Sequence, residues 1–130
     1  MTRPERAYRI VIMGLHYAPE KTGNAPYTTA LASRLKSLGH DVHVLTSHPH
    51  YPEWEVRAGY GQWLRRETIR GVPVRRFAHF VPREPSATMR VLSELSFGAR
   101  LLFTRWGNPD VVLFVSPALF STVLPLMRAR

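Results

Sequence analysis

The stretch from Arg9 to Thr46 restricts the fold of this chain more than any other part of it. Ile10 to Met13 is a short apolar run, and a loop holding proline and glycine follows it. From Tyr27 the apolar positions Tyr27, Leu31, Leu35 and Leu38 recur at helical spacing, with Arg34 and Lys36 on other faces. Gly39 supplies the left-handed residue that ends a helix, and Asp41 to Thr46 alternates into a second strand. Strand, loop, helix, turn, strand is the opening unit of a parallel α/β sheet, and a crossover of this length makes the two strands parallel neighbours. Ligands of such open sheets bind beyond the carboxyl ends of the strands. That rule puts the loop between Gly14 and Tyr27 at the candidate site.

The rest of the chain adds to the same sheet. Ser47 to Tyr60 is rich in aromatics and prolines, which favours a rigid extended loop leaving strand two at that same edge. Glu67 to Arg70 and Pro73 to Phe77, joined through Gly71-Val72, read as a β-hairpin or as a turn followed by a strand. Ser86 suits a helix N-cap. The helix after it, about Ala87 to Trp106, has a stripe at Val91, Leu92, Leu95, Ala99, Leu102, Phe103 and Trp106, flanked by Arg90, Arg100 and Arg105. Such a stripe packs into a core, or with its arginines rests on anionic lipid. Asn108-Pro109-Asp110 is a turn before Val111 to Val115, a continuous apolar run of the kind a central parallel strand shows. Ser116-Pro117 then opens a last helical stretch.

A chain of 130 residues accommodates one ordinary domain. Residues 1–8 read as a flexible leader and residues 9–130 as the domain. The absence of cysteine excludes disulfides and thiolate metal sites. The start Met-Thr-Arg-Pro-Glu-Arg lacks the apolar core of a signal peptide, and no apolar run approaches the ~18 residues of a membrane span, so a cytoplasmic protein is expected. Net charge is +9, and of the 18 basic residues only Lys21 and Lys36 are not arginine. This surplus attracts nucleic acid, anionic lipid headgroups or diphosphate ligands, although GC-rich codon usage produces the same composition.

The loop after strand one is no dinucleotide fingerprint, because Gly14 and Gly23 are nine apart, and it lacks the Gly-Lys-Ser/Thr of a P-loop. Gly23 permits close backbone approach, and the helix after it offers free amides and a positive dipole to an anion; a turn glycine without a ligand is the alternative. Among six histidines, His48-x-His50 is a weak zinc pattern for which no third ligand can be named. His16, at the end of strand one, could hydrogen-bond a ligand or cap the strand. Glu53-x-Glu55 could hold a sugar hydroxyl or lie solvated in its loop. No Gly-x-Ser-x-Gly elbow supports nucleophilic catalysis.

Taken together, Tyr17-Ala-Pro-Glu-Lys-Thr-Gly23, Leu38-Gly39-His40, Val42 to Thr46 and His50-Tyr51-Pro52-x-Trp54 resemble the amino-terminal domain of retaining family 4 glycosyltransferases. The likeness is to the bacterial exopolysaccharide and colanic-acid biosynthesis enzymes, and Phe80 to Ser86 and Pro109-Asp110-Val111 extend it. The resemblance implies an incomplete amino-terminal, acceptor-side domain of a GT-B fold, a Rossmann-like parallel sheet with flanking helices. It implies that Thr22, Gly23 and Asn24 face the diphosphate of a nucleotide sugar, with the Gly23 amide stabilising the leaving nucleotide. The family often has Gly-Gly where this chain has Gly23-Asn24. His16 and Tyr17 would line the cleft, and His50, Tyr51 and Trp54 would meet a lipid-linked saccharide acceptor of cell-surface polysaccharide synthesis. No cofactor, metal or nucleic acid is implied. Arg90, Arg100 and Arg105 would make peripheral contact with the inner face of the cytoplasmic membrane. The donor domain would follow Arg130, so this chain alone is expected to be inactive. A rival reading is a basic binding module whose aromatics at 51, 54, 60 and 63 stack on nucleic-acid bases, although no recognised motif supports it. A third is the remnant of a truncated gene, prone to aggregate through an exposed sheet edge.

Overall fold

Every strand of the sheet runs parallel to its neighbour except one at the edge. The computed structural model describes residues 7–21, 25–50, 54–83 and 86–115. Its elements are β1 (Arg9–Met13), α1 (Ala25–Ser37), β2 (Asp41–Ser47), β3 (Leu64–Ile69), β4 (Val72–Phe77), α2 (Ala87–Leu102) and β5 (Val111–Phe114). The sheet order is β3-β4-β2-β1-β5. β1 pairs in parallel with β2, Ile12 facing Val44, and with β5, Ile12 facing Leu113. β4 is also parallel to β2, whereas β3 is antiparallel to β4. Arg70 and Gly71 close that hairpin with φ values of 51° and 78°, a two-residue turn that can join only antiparallel strands. The hairpin reading therefore holds, and the sheet is mixed rather than all parallel.

Both faces of β1 are buried, as an apolar run in a covered sheet requires. Val11 and Met13 pack with Leu45 and Phe77 against Phe97 and Leu101 of α2 and against Trp106. Ile10 and Ile12 pack with Val42, Val44, Val72 and Val74 against Ala32 of α1, with Leu35 beside them.

The helices lie where the periodicity places them, yet they turn other faces inward. In α1 the buried residues are Ala25, Thr28, Thr29 and Ala32, while Tyr27 is 78% and Leu31 42% exposed. Small side chains let this helix approach the sheet closely, and the Thr29 hydroxyl, donating to Ala25 O at 2.7 Å and accepting from Ala18 N–H at 3.1 Å, is satisfied in the contact. In α2 the inward residues are Ser93, Phe97, Gly98 and Leu101. Of the expected stripe, Leu92 is exposed, Val91, Leu95, Ala99 and Leu102 are half-buried, and Phe103 is 85% exposed. Ser86 does cap α2, accepting from Met89 N–H at 3.2 Å. The helix stops at Leu102, four residues short of Trp106, which is buried outside it with its indole N–H on Leu101 O at 2.8 Å. Among the described residues β5 pairs with β1 alone. No described helix is long and apolar enough to cross a membrane. The leader and the helical stretch from Ser116 lie outside the described residues.

Candidate functional site

The carboxyl ends of β1, β2 and β4 deliver four histidines to one edge. Beyond β1 the chain turns at Gly14, whose N–H reaches Leu45 O at 3.2 Å. A Cβ there would meet the Val115 side chain at 3.1 Å, so the close passage of the two segments favours glycine. His16 follows. Its Nδ1 lies 2.9 Å from Oε1 of Glu20, which is 4% exposed. The other oxygen of Glu20 accepts the His50 backbone N–H at 3.0 Å, tying the β1 loop to the β2 loop.

Three imidazoles then adjoin. The His16 and His50 rings are 5.5 Å apart, those of His50 and His79 5.4 Å, and the Trp54 ring stands 5.7 Å from His50. Backbone partners fix the tautomers of two histidines. Gly61 N–H donates to Nδ1 of His48 at 3.2 Å, so Nε2–H donates to Gln62 O at 2.7 Å. Nδ1–H of His50 donates to His48 O at 2.9 Å, which leaves its buried Nε2 a lone pair without a partner among the described residues. Nδ1 of His79 lies 2.8 Å from the Ser47 hydroxyl, and its Nε2 is likewise buried and unpartnered. Burial lowers the pKa of His48 and His50 and holds His79 down at about 3, so these rings are neutral at pH 7.

Beneath the loops Arg76 is fully buried and joins three segments. Its guanidinium donates to Glu67 Oε2 at 2.7 Å, to Ser47 O at 2.8 Å and to Ala18 O. A planar donor fork suits such divergent acceptors better than a lysine would.

His16, His50 and Trp54 therefore share one edge, as the loop argument anticipates. Tyr17, expected beside them in the cleft, is instead 1% exposed in the core under α1. Burial raises its pKa to about 12, against the opposing effect of Arg76. Thr22, Gly23, Asn24 and Tyr51 lie outside the described residues, and α1 begins at Ala25, directly after that loop. No group of three or more metal-ligating side chains converges among the described residues. Arg90, Arg100 and Arg105 have different surroundings. Arg90 lies over the Trp54 ring at 5.3 Å. Arg100 sits 3.4 Å over Trp63 and donates to Ala78 O and Trp63 O at 2.9 Å each, and Arg105 is in the loop past α2. Arg65 and Arg76 likewise lie over Tyr60 at 4.6 and 5.3 Å, so Trp54, Tyr60 and Trp63 each stack with at least one of the protein's own arginines.

Sequence reasoning missed Glu20, Arg76 and His79. Glu20 stands inside the motif that carried the family resemblance, and His79 follows β4 much as His16 follows β1, so the edge rule could have found both. Arg76 gave no signal, because an arginine in an alternating strand reads as solvated.

Residues 22–130 match the family described as glycosyl transferase 4-like domain. A putative colanic acid biosynthesis glycosyl transferase, WcaI of Escherichia coli (strain K12), is 35% identical over 117 residues, covering 86% of this chain. The chain spans 28% of the length of that relative. No solved structure matches the chain significantly.

Proposed function

Because the chain belongs to the glycosyl transferase 4-like family, we propose that it is the acceptor-side part of a retaining, metal-independent glycosyltransferase. In this reading it moves a sugar from a nucleotide diphosphate sugar to a lipid-linked saccharide acceptor in cell-surface polysaccharide synthesis. The observation that carries the reading is the joined edge, where Glu20 holds His16 and the His50 backbone so that both loops form one wall. His16 and Trp54, each partly exposed, would contact the acceptor, and His50 would keep the wall in place. Residues Thr22, Gly23 and Asn24 would present amides and the α1 dipole to the leaving diphosphate, the group on which negative charge develops. The work of the chain is then binding and orientation, with the donor gripped by a second domain. The 130 residues alone are expected to be inactive. The protein would act at the inner face of the cytoplasmic membrane, held there peripherally by its arginines.

The test joins this domain to a donor-binding domain and supplies radiolabelled nucleotide sugars with a detergent extract of bacterial membranes. Label should pass to the lipid fraction in the presence of EDTA, and His16→Ala should lower the transfer by about a hundredfold, as loss of a positioning contact does. Absence of transfer from every nucleotide sugar, or transfer that His16→Ala leaves intact, would overturn the reading.

A further inference from the structure

The sheet face under α2 is only partly covered. Phe97 and Leu101 shield its carboxyl half. Past the end of α2 a groove of about 570 Å³ opens, lined by Arg9, Arg66, Glu67, Thr68, Arg75 and Arg105 among others. It lies toward the amino ends of β1 and β2, away from His16 and His50.

The acids nearby are committed to other groups. Asp41 takes Arg9 Nε at 3.1 Å on one oxygen and His43 Nε2 at 3.0 Å on the other. Glu67 takes Arg76 at 2.7 Å and Arg65 at 3.4 Å. Arg66 and Arg75 stand directly opposite one another in the β3–β4 register, and neither has a carboxylate partner among the described residues. Arg75 is steadied by one bond to the Arg105 carbonyl at 2.5 Å. Burial, and then the charge of Arg66, depress its pKa. Like charges facing each other across an antiparallel pair destabilise a sheet unless something neutralises them. An anion with several oxygens would do so, since guanidinium forks match phosphate oxygens two at a time.

We propose that this groove binds a phosphate-bearing anion, held between Arg66 and Arg75 with Arg105 and the Thr68 hydroxyl at its rim. The site does not depend on the reading of the carboxyl edge. Its test is titration of the chain with inorganic pyrophosphate at low salt, followed by calorimetry and thermal unfolding, with vesicles containing phosphatidylglycerol as a second arm. Pyrophosphate should bind saturably and raise Tm. Arg66→Gln, at an exposed position where folding is not at stake, should weaken binding by about tenfold, the loss of one charge-assisted contact. The same variant should raise Tm in anion-free buffer, because it removes the repulsion. Arg75→Gln should also weaken binding, whereas Arg83→Gln, outside the groove, should not. Vesicle binding that depends on Arg66 would assign the phosphate to a lipid headgroup, and pyrophosphate binding without it to a soluble ligand. Failure of both probes, or full affinity in Arg66→Gln, would overturn the site.

Discussion

Glu20 is the side chain on which the candidate edge depends, since one carboxylate serves an imidazole of the β1 loop and a backbone amide of the β2 loop. Glu20→Ala removes the acceptor of the buried His50 amide and the carboxylate beside the part-buried His16 ring, and should cost about 1–3 kcal/mol in urea unfolding. Glu20→Gln, which keeps one acceptor oxygen, should cost less, and equal losses would show that the edge is not held by these bonds. Arg76 supports the same loops from below. Removing it leaves the Ser47 and Ala18 carbonyls without their donor and takes the closer of two arginines from Glu67, which keeps Arg65 at 3.4 Å, so Arg76→Ala should cost about 2–3 kcal/mol. The neutral histidines add a dependence on pH. The unfolded chain begins to protonate His79 near its ordinary value of 6.5, whereas the folded chain resists until about 3. Below pH 6.5 the unfolded state therefore binds more protons, and stability present above that pH is lost as pH falls. His79 alone contributes a slope of about 1.4 kcal/mol per pH unit, hence about 2 kcal/mol by pH 5. His48 and His50 act in the same direction. Unfolding titrations of the wild type and His79→Gln should differ by that slope, and parallel profiles would place the titration elsewhere.

At the scale of elements, the two helices give the sharpest contrast between periodicity and packing. Phe97 is fully buried and Phe103 is 85% exposed, although the apolar stripe read from the sequence contains only the second. Phe97→Ala should cost about 3–5 kcal/mol, and Phe103→Ser no more than about 0.5. Equal costs would restore the stripe. Periodicity did locate α1, β2, the hairpin and the Ser86 cap, because spacing, turn residues and caps are local properties of the chain. It did not fix which face turns inward. In α1 the close approach to β4 and β2 selects Ala25, Thr28, Thr29 and Ala32, and large residues such as Tyr27 would hold the helix away. That preference belongs to the sheet surface, and no window of sequence contains it. The hairpin shows a local compromise. Arg70 holds a left-handed φ of 51° that asparagine adopts more readily. Arg70→Asn should therefore stabilise the fold by a few tenths of a kcal/mol in urea unfolding, and a loss would mean that the arginine side chain has a role of its own.

For the whole molecule, the net charge of +9 is only partly a surface property. Arg76 is spent in the core, and Arg100 fastens α2 to the carboxyl end of the hairpin through two carbonyls and two aromatic rings. Composition alone treats all these arginines as free charge, and the helical pattern that sets Arg90, Arg100 and Arg105 beside one apolar stripe says nothing of the rings and carbonyls that occupy Arg90 and Arg100. Side chains that bind at long range, such as Arg76 to Ala18 and Ser47, are legible only once the sheet order has brought those carbonyls together. Membrane contact therefore has to be predicted residue by residue. The chain should sediment weakly with anionic vesicles at low salt and be released as salt rises, because exposed charges are screened within about 10 Å at 0.1 M. Arg105→Gln removes an exposed charge and should lower the binding free energy by about 1 kcal/mol, near fivefold. Arg100→Gln should leave vesicle binding at the wild-type level and lower unfolding stability instead, since its guanidinium is already held by Ala78, Trp63 and Phe77. Equal loss of vesicle binding in the two variants would mean that Arg100 leaves those carbonyls when lipid is present.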